Sequence, residues 1–202
     1  MRHQGTKRIE TKRLILRRFQ ENDAESMFRN WTNSFEVTKY LTWKPHENIT
    51  ETEVLLDKWI KESEKDDFYQ WAIELKEIHE PIGTISVVGK DENIDMVEIG
   101  YCIGLKWWNH GIMSEAFRAV ISFFFEEVGV NRIQAQHDSN NPNSGRVMKK
   151  CGLKYEGTLR QAGRNNQGIV DMNVYGLLRE EWSNILCEKS AHGLISKQFA
   201  MR

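Results

Sequence analysis

The stretch best suited to chemistry is Tyr101-Cys102-Ile103-Gly104-Leu105-Lys106-Trp107-Trp108-Asn109-His110-Gly111-Ile112-Met113-Ser114-Glu115-Ala116, where a strand pattern runs through a loop into an apolar helix. The first amides of a helix have no partner inside it, and the macrodipole adds about half a positive charge at that end. A diphosphate would rest on the backbone amides of roughly Asn109 to Ser114, with Gly111 permitting close approach of the main chain. The same residues also suit an ordinary helix start in which Gly111 makes the turn and Ser114 caps the helix. Neither G-x-G-x-x-G nor G-x-x-x-x-G-K-[ST] occurs, so the dinucleotide fingerprint and the P-loop are set aside. Cys102, Cys151 and Cys187 form no C-x-x-C pair, and the six histidines show no ligand spacing, which predicts no structural metal.

Hydrophobic periodicity predicts the elements that hold this segment. Leu14, Leu16 and Phe19 alternate with basic neighbours over 13–19, as in a half-buried strand. Asn22 or Asp23 caps an amphipathic turn with Met27, Phe28 and Trp31 on one face. Thr50-Glu51-Thr52-Glu53 reads as a capping box opening a second helix through Val54, Leu55, Trp59 and Ile60. Strands over 69–76, 82–88 and 96–103, joined by the His79-Glu80-Pro81 and Lys90-Asp91-Glu92-Asn93 turns, predict an antiparallel meander. Ala116, Phe117, Val120, Ile121, Phe124, Phe125 and Val128 recur at helical spacing, and Gly129 stops that helix. A strand over 132–137, a short helix over 142–151 ended by Gly152, and strands over 153–160 and 169–178 complete the pattern. These elements predict one domain over 9–182, with 183–202 a tail or short helix.

The composition narrows the class. A chain of 202 residues, 40% hydrophobic and with seven tryptophans, can bury a globular core. Its formal net charge of −1 and lack of like-charge blocks argue against a nucleic-acid partner. No apolar run approaches a membrane span and no signal-like h-region follows the basic start, which predicts a soluble, cytoplasmic protein.

Gly100-Tyr101 with Trp107-Trp108-Asn109-His110-Gly111-Ile112-Met113-Ser114-Glu115-Ala116 resembles the acyl-CoA pyrophosphate motif of the GNAT acetyltransferases, in the form used by the ribosomal-protein N-terminal acetyltransferases. About thirty residues on, Asn141-Pro142-Asn143-Ser144-Gly145-Arg146-Val147-Met148-Lys149-Lys150-Cys151-Gly152-Leu153, followed by Glu156-Gly157, resembles their second motif. Asp171, Tyr175 and Leu178-Arg179-Glu180-Glu181-Trp182 resemble their closing strand. The resemblance implies an α+β fold: a central, mostly antiparallel twisted sheet, splayed between its fourth and fifth strands and flanked by helices. It further implies acetyl-CoA as co-substrate, a primary amine as acceptor, foremost a protein or peptide N-terminus, and a homodimer as a family expectation.

The residue roles follow from the same resemblance. Trp108, Asn109, His110, Gly111, Ile112, Met113 and Ser114 would line the cofactor's diphosphate. Backbone amides near Cys102 and Ile103 would face the thioester oxygen, and Asn141 the pantetheine arm. Many superfamily members place a tyrosine where this chain has Met148, which makes Ser144 the candidate to face the departing sulfur. Glu98 is the candidate proton acceptor, with Glu74, His137, Asp171 and a water chain as rivals. Outside the resemblance, each residue has a plainer reading: Cys102 a small core side chain, Trp107 and Trp108 packing aromatics, His110 an exposed loop residue, Asn141 an Asx turn, and Ser144 a helix-start hydroxyl. Arg164 to Gly168 reads as a hairpin turn, near the acceptor or bare on the surface. Two other functions stay open: acetylation of a small cation such as a polyamine or aminoglycoside, for which the acidic stretch Glu51, Glu53, Asp57, Glu62, Glu64, Asp66 and Asp67 could supply part of a pocket, though Lys58, Lys61 and Lys65 among them suit a solvated face, and non-catalytic sensing of acyl-CoA.

Overall fold

The computed structural model describes residues 1–185. Leu14 and Leu16 turn inward from β2 (Leu14–Arg17), which pairs antiparallel with the two-residue β1 (Ile9–Glu10) on one edge. The chain then forms α1 (Ala24–Met27), which widens into a π turn over Phe28–Thr32, the short α2 (Phe35–Thr38) and α3 (Ile49–Glu62). The start of the α1 region is braced by Asp23, whose carboxylate accepts from the Gln20 amide and bidentately from Arg17. The opening of α3 differs from the predicted capping box. Asn48 caps it by accepting the Glu51 amide at 3.2 Å. Thr52 faces inward and bonds Thr32, and Leu56 is buried while Val54 is exposed, because Thr52 and Leu56, four residues apart, share the stripe that meets the core.

Next come β3 (Gln70–Leu75), β4 (Glu80–Asp91) and β5 (Met96–Ile103), the expected antiparallel meander. Glu80 and Pro81, predicted as turn, already pair with Leu75 and Glu74. A crossover through α4 (Ile112–Phe123) leads to β6 (Arg132–Asp138), parallel to β5. The π turn Phe124–Val128 ends this helix at Gly129, whose left-handed backbone lets the Val130 amide also turn back to Phe124 O. The helix α5 (Pro142–Lys150) and the hairpin β7 (Lys154–Asn165) and β8 (Gly168–Leu178) complete one sheet of order β1-β2-β3-β4-β5-β6-β8-β7. Residues 179–185 are helical, and the reading of 183–202 as a tail or short helix lies, from residue 186 on, outside the described residues.

Apolar side chains fill both faces of the sheet. On one, Phe117, Val120, Ile121 and Phe124 of the α4 region pack on Leu14, Trp71, Ile73, Ile85 and Val97. On the other, Met27, Trp31 and Leu56 pack on Phe19 and Ala72. The sheet parts in one place. β5 and β6 pair only over Met96–Glu98 with Arg132–Gln134, while β4 follows β5 to Ile103 and β8 follows β6 to Asp138. Each strand keeps its outer partner and loses the inner one, so a wedge of unpaired backbone opens between them. This is the expected splay, between β5 and β6 once the short β1 is counted. No helix among the described residues is long and apolar enough to cross a membrane.

Candidate active site

A cleft of about 590 Å³ occupies that wedge. One wall is the end of β5, Tyr101 to Ile103. The floor is the start of α4, and the far wall is the start of α5, Asn140 to Ser144. Phe35 to Leu41, leaving aside Thr38, close the remaining side.

The start of α4 is unusual in this chain. Asn109 (φ +63°) and Gly111 (φ +72°) both take the left-handed conformation, and no side chain caps the helix. Ser114, one candidate cap, is buried inside the helix instead. A Cβ at Gly111 would meet nothing nearer than Arg13 Nη2 at 3.8 Å, so backbone conformation rather than crowding favours glycine there. The loop is tied down from outside by two residues that sequence reading did not single out. Glu115 accepts from Thr11 Oγ1 (2.6 Å), Arg13 N (2.9 Å) and Arg13 Nε (2.7 Å), and Arg13 Nη1 donates to His110 O (3.0 Å). Burial pushes the Glu115 carboxyl up, but the Thr11 and Arg13 hydrogen bonds prevail and hold it below its ordinary range. The unsatisfied donors of α4 therefore face the cleft from a braced loop, an arrangement able to hold an anion.

Strand alternation sorts the β5 amides. Gly104 N–H donates to Ile82 O in β4, so Cys102 likewise turns its amide to β4, whereas Tyr101 and Ile103 turn theirs to the wedge. Trp108 Nε1 donates to Ile103 O at 2.8 Å and folds the indole across the cleft wall. Trp107 is buried in the core and Met113 lies beside the cleft. Burial pushes the Cys102 thiol up to about 12, which keeps it protonated and argues against a nucleophile.

On the opposite wall, Asn141 lines the cleft and its side chain makes no cap bond to α5. Ser144 lies 3.0 Å from the Tyr101 hydroxyl through its Oγ. The closeness of α5 to β6 depends on Gly145, where a Cβ would lie 2.6 Å from His137 Nε2 and 3.2 Å from the Tyr175 hydroxyl. His137 is buried against that helix with Nδ1 bonded to Asp138 O, and burial lowers its pKa, so it stays neutral.

The structure brings together Cys102, Ile103, Trp108, Asn109, Gly111, Ile112, Met113, Ser114, Asn141 and Ser144. It does not bring the proposed proton acceptors into the cleft lining. Glu98 sits where β5 and β6 part and accepts from Gln134 Nε2 (3.2 Å) and Gln136 Nε2 (2.6 Å). Glu74 is paired with Arg17, and Asp171 accepts the Gln161 amide. His110 is exposed and meets the neighbouring structure through its carbonyl. Residues to which the sequence assigns no role of their own also line the cleft: Tyr101, Arg146 and Lys150 within the two motifs, and Glu36 and Lys39 outside them. The tip of the β7–β8 hairpin is not a bare turn. Asn166 bonds Leu41 O, Thr38 O and Trp43 O, while Asn165 Nδ2 bonds the buried Asp138, pinning the hairpin beside the α2 wall. Long-range docking of this kind leaves no local signal beyond an asparagine pair. Among the described residues, no group of His, Cys, Asp and Glu is arranged to hold a metal.

Comparisons with known proteins agree with this geometry. Residues 13–154 match the family model for the acetyltransferase (GNAT) domain. The chain is 33% identical over 171 residues to the uncharacterized N-acetyltransferase YoaA of Bacillus subtilis (strain 168), covering 85% of this chain and 96% of that one. It is 31% identical over 96 residues, 48% of this chain and 54% of the other, to the ribosomal-protein-serine acetyltransferase of Escherichia coli (strain K12). Its fold is similar to that of the microcin C7 self-immunity acetyltransferase MccE, solved in complex with acetyl-CoA and AMP, with a TM-score of 0.75 at 21% identity over 83% of this chain and 93% of that one.

Proposed function

We propose, for a chain that belongs to the GNAT acetyltransferase family and so transfers an acetyl group from acetyl-CoA to an amine, that the acceptor is a protein N-terminal amine of the ribosomal-protein Ser or Ala type. The observation that carries this reading is the charge of the cleft lining: Glu36 is the acid there, against Lys39, Arg146 and Lys150. A polyamine or aminoglycoside needs an acidic pocket, and the acidic residues of α3 are not part of this cleft. Even with Arg146 and Lys150 occupied by cofactor phosphates, Glu36 and Lys39 leave the acceptor side balanced.

Proton chemistry supports the same acceptor. None of the four side chains considered as base lines the cleft, so the amine must reach its neutral form largely unaided. An α-amino group, with a pKa near about 8, is substantially neutral close to pH 7.5, whereas an alkyl amine near about 10.4 is neutral in roughly one molecule per thousand. Water in the cleft takes the proton.

The residues present fit acetyl-CoA: uncapped amides at α4, two parted strands, and cations on α5. When bound, it supplies an acetyl group activated as a thioester, which the amine attacks directly in a ternary complex. The amides of Asn109 to Ser114 hold the diphosphate, and Arg146 and Lys150 meet further phosphate charge. Asn141 bonds the pantetheine arm, with Trp108 and Cys102 as apolar wall. The Ile103 amide faces the thioester oxygen, a donor of a kind typically worth about 3 kcal/mol in the transition state. Ser144 presents its hydroxyl to the sulfur.

The test is release of CoA thiol from acetyl-CoA over a panel of peptides beginning Ser, Ala or Met, set against spermidine and an aminoglycoside. Turnover confined to the peptides is expected, and turnover confined to the small cations overturns the acceptor assignment. In the same assay Glu98→Gln is expected to lower kcat by less than about threefold; a loss of roughly a hundredfold or more would restore Glu98 as the base.

A further inference from the structure

Tyr101 and Ser144 come from different walls of the cleft, 43 residues apart, and meet in its lining. The Tyr101 hydroxyl is 3.0 Å from Ser144 O and also 3.0 Å from Ser144 Oγ. Its ring is held beside Phe117, with centroids 5.5 Å apart, so the phenol oxygen has a fixed position while its proton can rotate. A phenol has one proton and cannot fully serve both oxygens. Two arrangements therefore exist with the same heavy-atom positions.

In the first, the phenol donates to the Ser144 carbonyl, which can only accept, and the serine hydroxyl donates back to the phenol oxygen. The serine proton is then engaged by the phenol and is not available to the sulfur. In the second, the phenol donates to Ser144 Oγ, and the serine proton is free to point into the cleft. Equal distances make the exchange a pair of proton rotations, with no side chain displaced and the Ser144 oxygen never without a partner.

We propose that Tyr101 is the positioning residue for Ser144, its phenol turning from the Ser144 carbonyl to Ser144 Oγ as negative charge builds in the cleft, so that the serine hydroxyl is directed at the sulfur and strengthened as a donor. This rests on the reading above that Ser144 faces the sulfur. A donor that itself receives a hydrogen bond is polarised and binds an anion more strongly. Burial raises the Tyr101 phenol well above its ordinary value, so it keeps its proton and stays able to donate. In the reaction the N–C bond forms and the C–S bond breaks, and the electron pair of that bond stays on sulfur. The amine proton passes to water, and water returns a proton to the thiolate. Neither Tyr101 nor Ser144 loses its own.

The experiment is a double-mutant cycle of Tyr101→Phe and Ser144→Ala, read as kcat and KM for acetyl-CoA by thiol release with whichever acceptor in the panel turns over. Tyr101→Phe keeps the ring against Phe117, and equal thermal midpoints verify the fold. Tyr101→Phe is expected to lower kcat roughly tenfold with KM for acetyl-CoA changed less than twofold, and to have no further effect in the Ser144→Ala background. If Ser144→Ala is impaired but Tyr101→Phe retains full kcat, or if the two losses multiply, Tyr101 does not act through Ser144 and the inference is overturned. Should Ser144→Ala itself retain full activity, the assignment of Ser144 to the sulfur falls, and the role of Tyr101 with it.

Discussion

The starts of α3 and α4 make an instructive pair. At α3 a side chain does the capping: Asn48 accepts the Glu51 amide. At α4 no side chain does so, and the chain enters through two left-handed residues that open the first turn to the cleft. α5 repeats the second pattern, since Asn141 makes no cap bond and faces the same cleft. The first kind of start contributes to stability, and the second kind leaves donors for a ligand at some cost to stability. The α4 loop holds its shape through Arg13 and Glu115, which act on its outer side and leave the inner side free.

The contrast breaks most sharply if a carboxylate is set at the open start of α4. Gly111→Asp should raise KM for acetyl-CoA by roughly 10- to 100-fold through carboxylate repulsion of phosphate. Its stability should fall by about 1 kcal/mol, because the left-handed backbone at 111 strains any side chain and denies it the extended geometry with which Asn48 caps α3. An unchanged KM would mean that the α4 amides do not hold the diphosphate. A smaller change comes from Lys150→Ala, which leaves both helix starts intact and removes a cation from the cleft edge. KM for acetyl-CoA should rise about fivefold, and less at high salt, as fits an exposed ion contact.

The complementary substitution, Asn48→Ala, should lower stability to denaturant by about 1 kcal/mol and leave KM for acetyl-CoA unchanged. A shift in KM there would blur the distinction between the two starts. The mildest probe is acid. The folded Glu115 carboxyl lies below its ordinary value of 4.5, so its contribution is present above about pH 4.5 and is lost as pH falls through its folded value. Glu115→Gln should flatten that part of the stability–pH curve, and a curve identical to that of the unaltered protein would remove Glu115 as the brace.

Much of this architecture was legible in the residues. The meander, the long apolar helix, the stop at Gly129 and the short helix before Gly152 follow from periods and turn residues that act within a few positions. The start of α3 is ambiguous in the sequence because Thr50 and Asn48 are both good caps, and the tertiary contacts of Thr52 and Leu56 select Asn48. In the site, the α4 loop and α5 carry local signals, whereas the contacts of Arg13, Glu115, Tyr101 and Asn166 join distant parts of the chain and carry none.

The sequence by itself therefore determined the elements, the glycine-bearing turn before α4 and the family resemblance, since each is written in neighbouring residues. Tertiary structure alone decided how far β5 and β6 pair, that Glu98 is held by Gln134 and Gln136, and that Tyr101 meets Ser144. Those outcomes depend on contacts between residues 36 to 43 positions apart, which no local pattern encodes and which only the packing of helices on a parted sheet brings within hydrogen-bond reach.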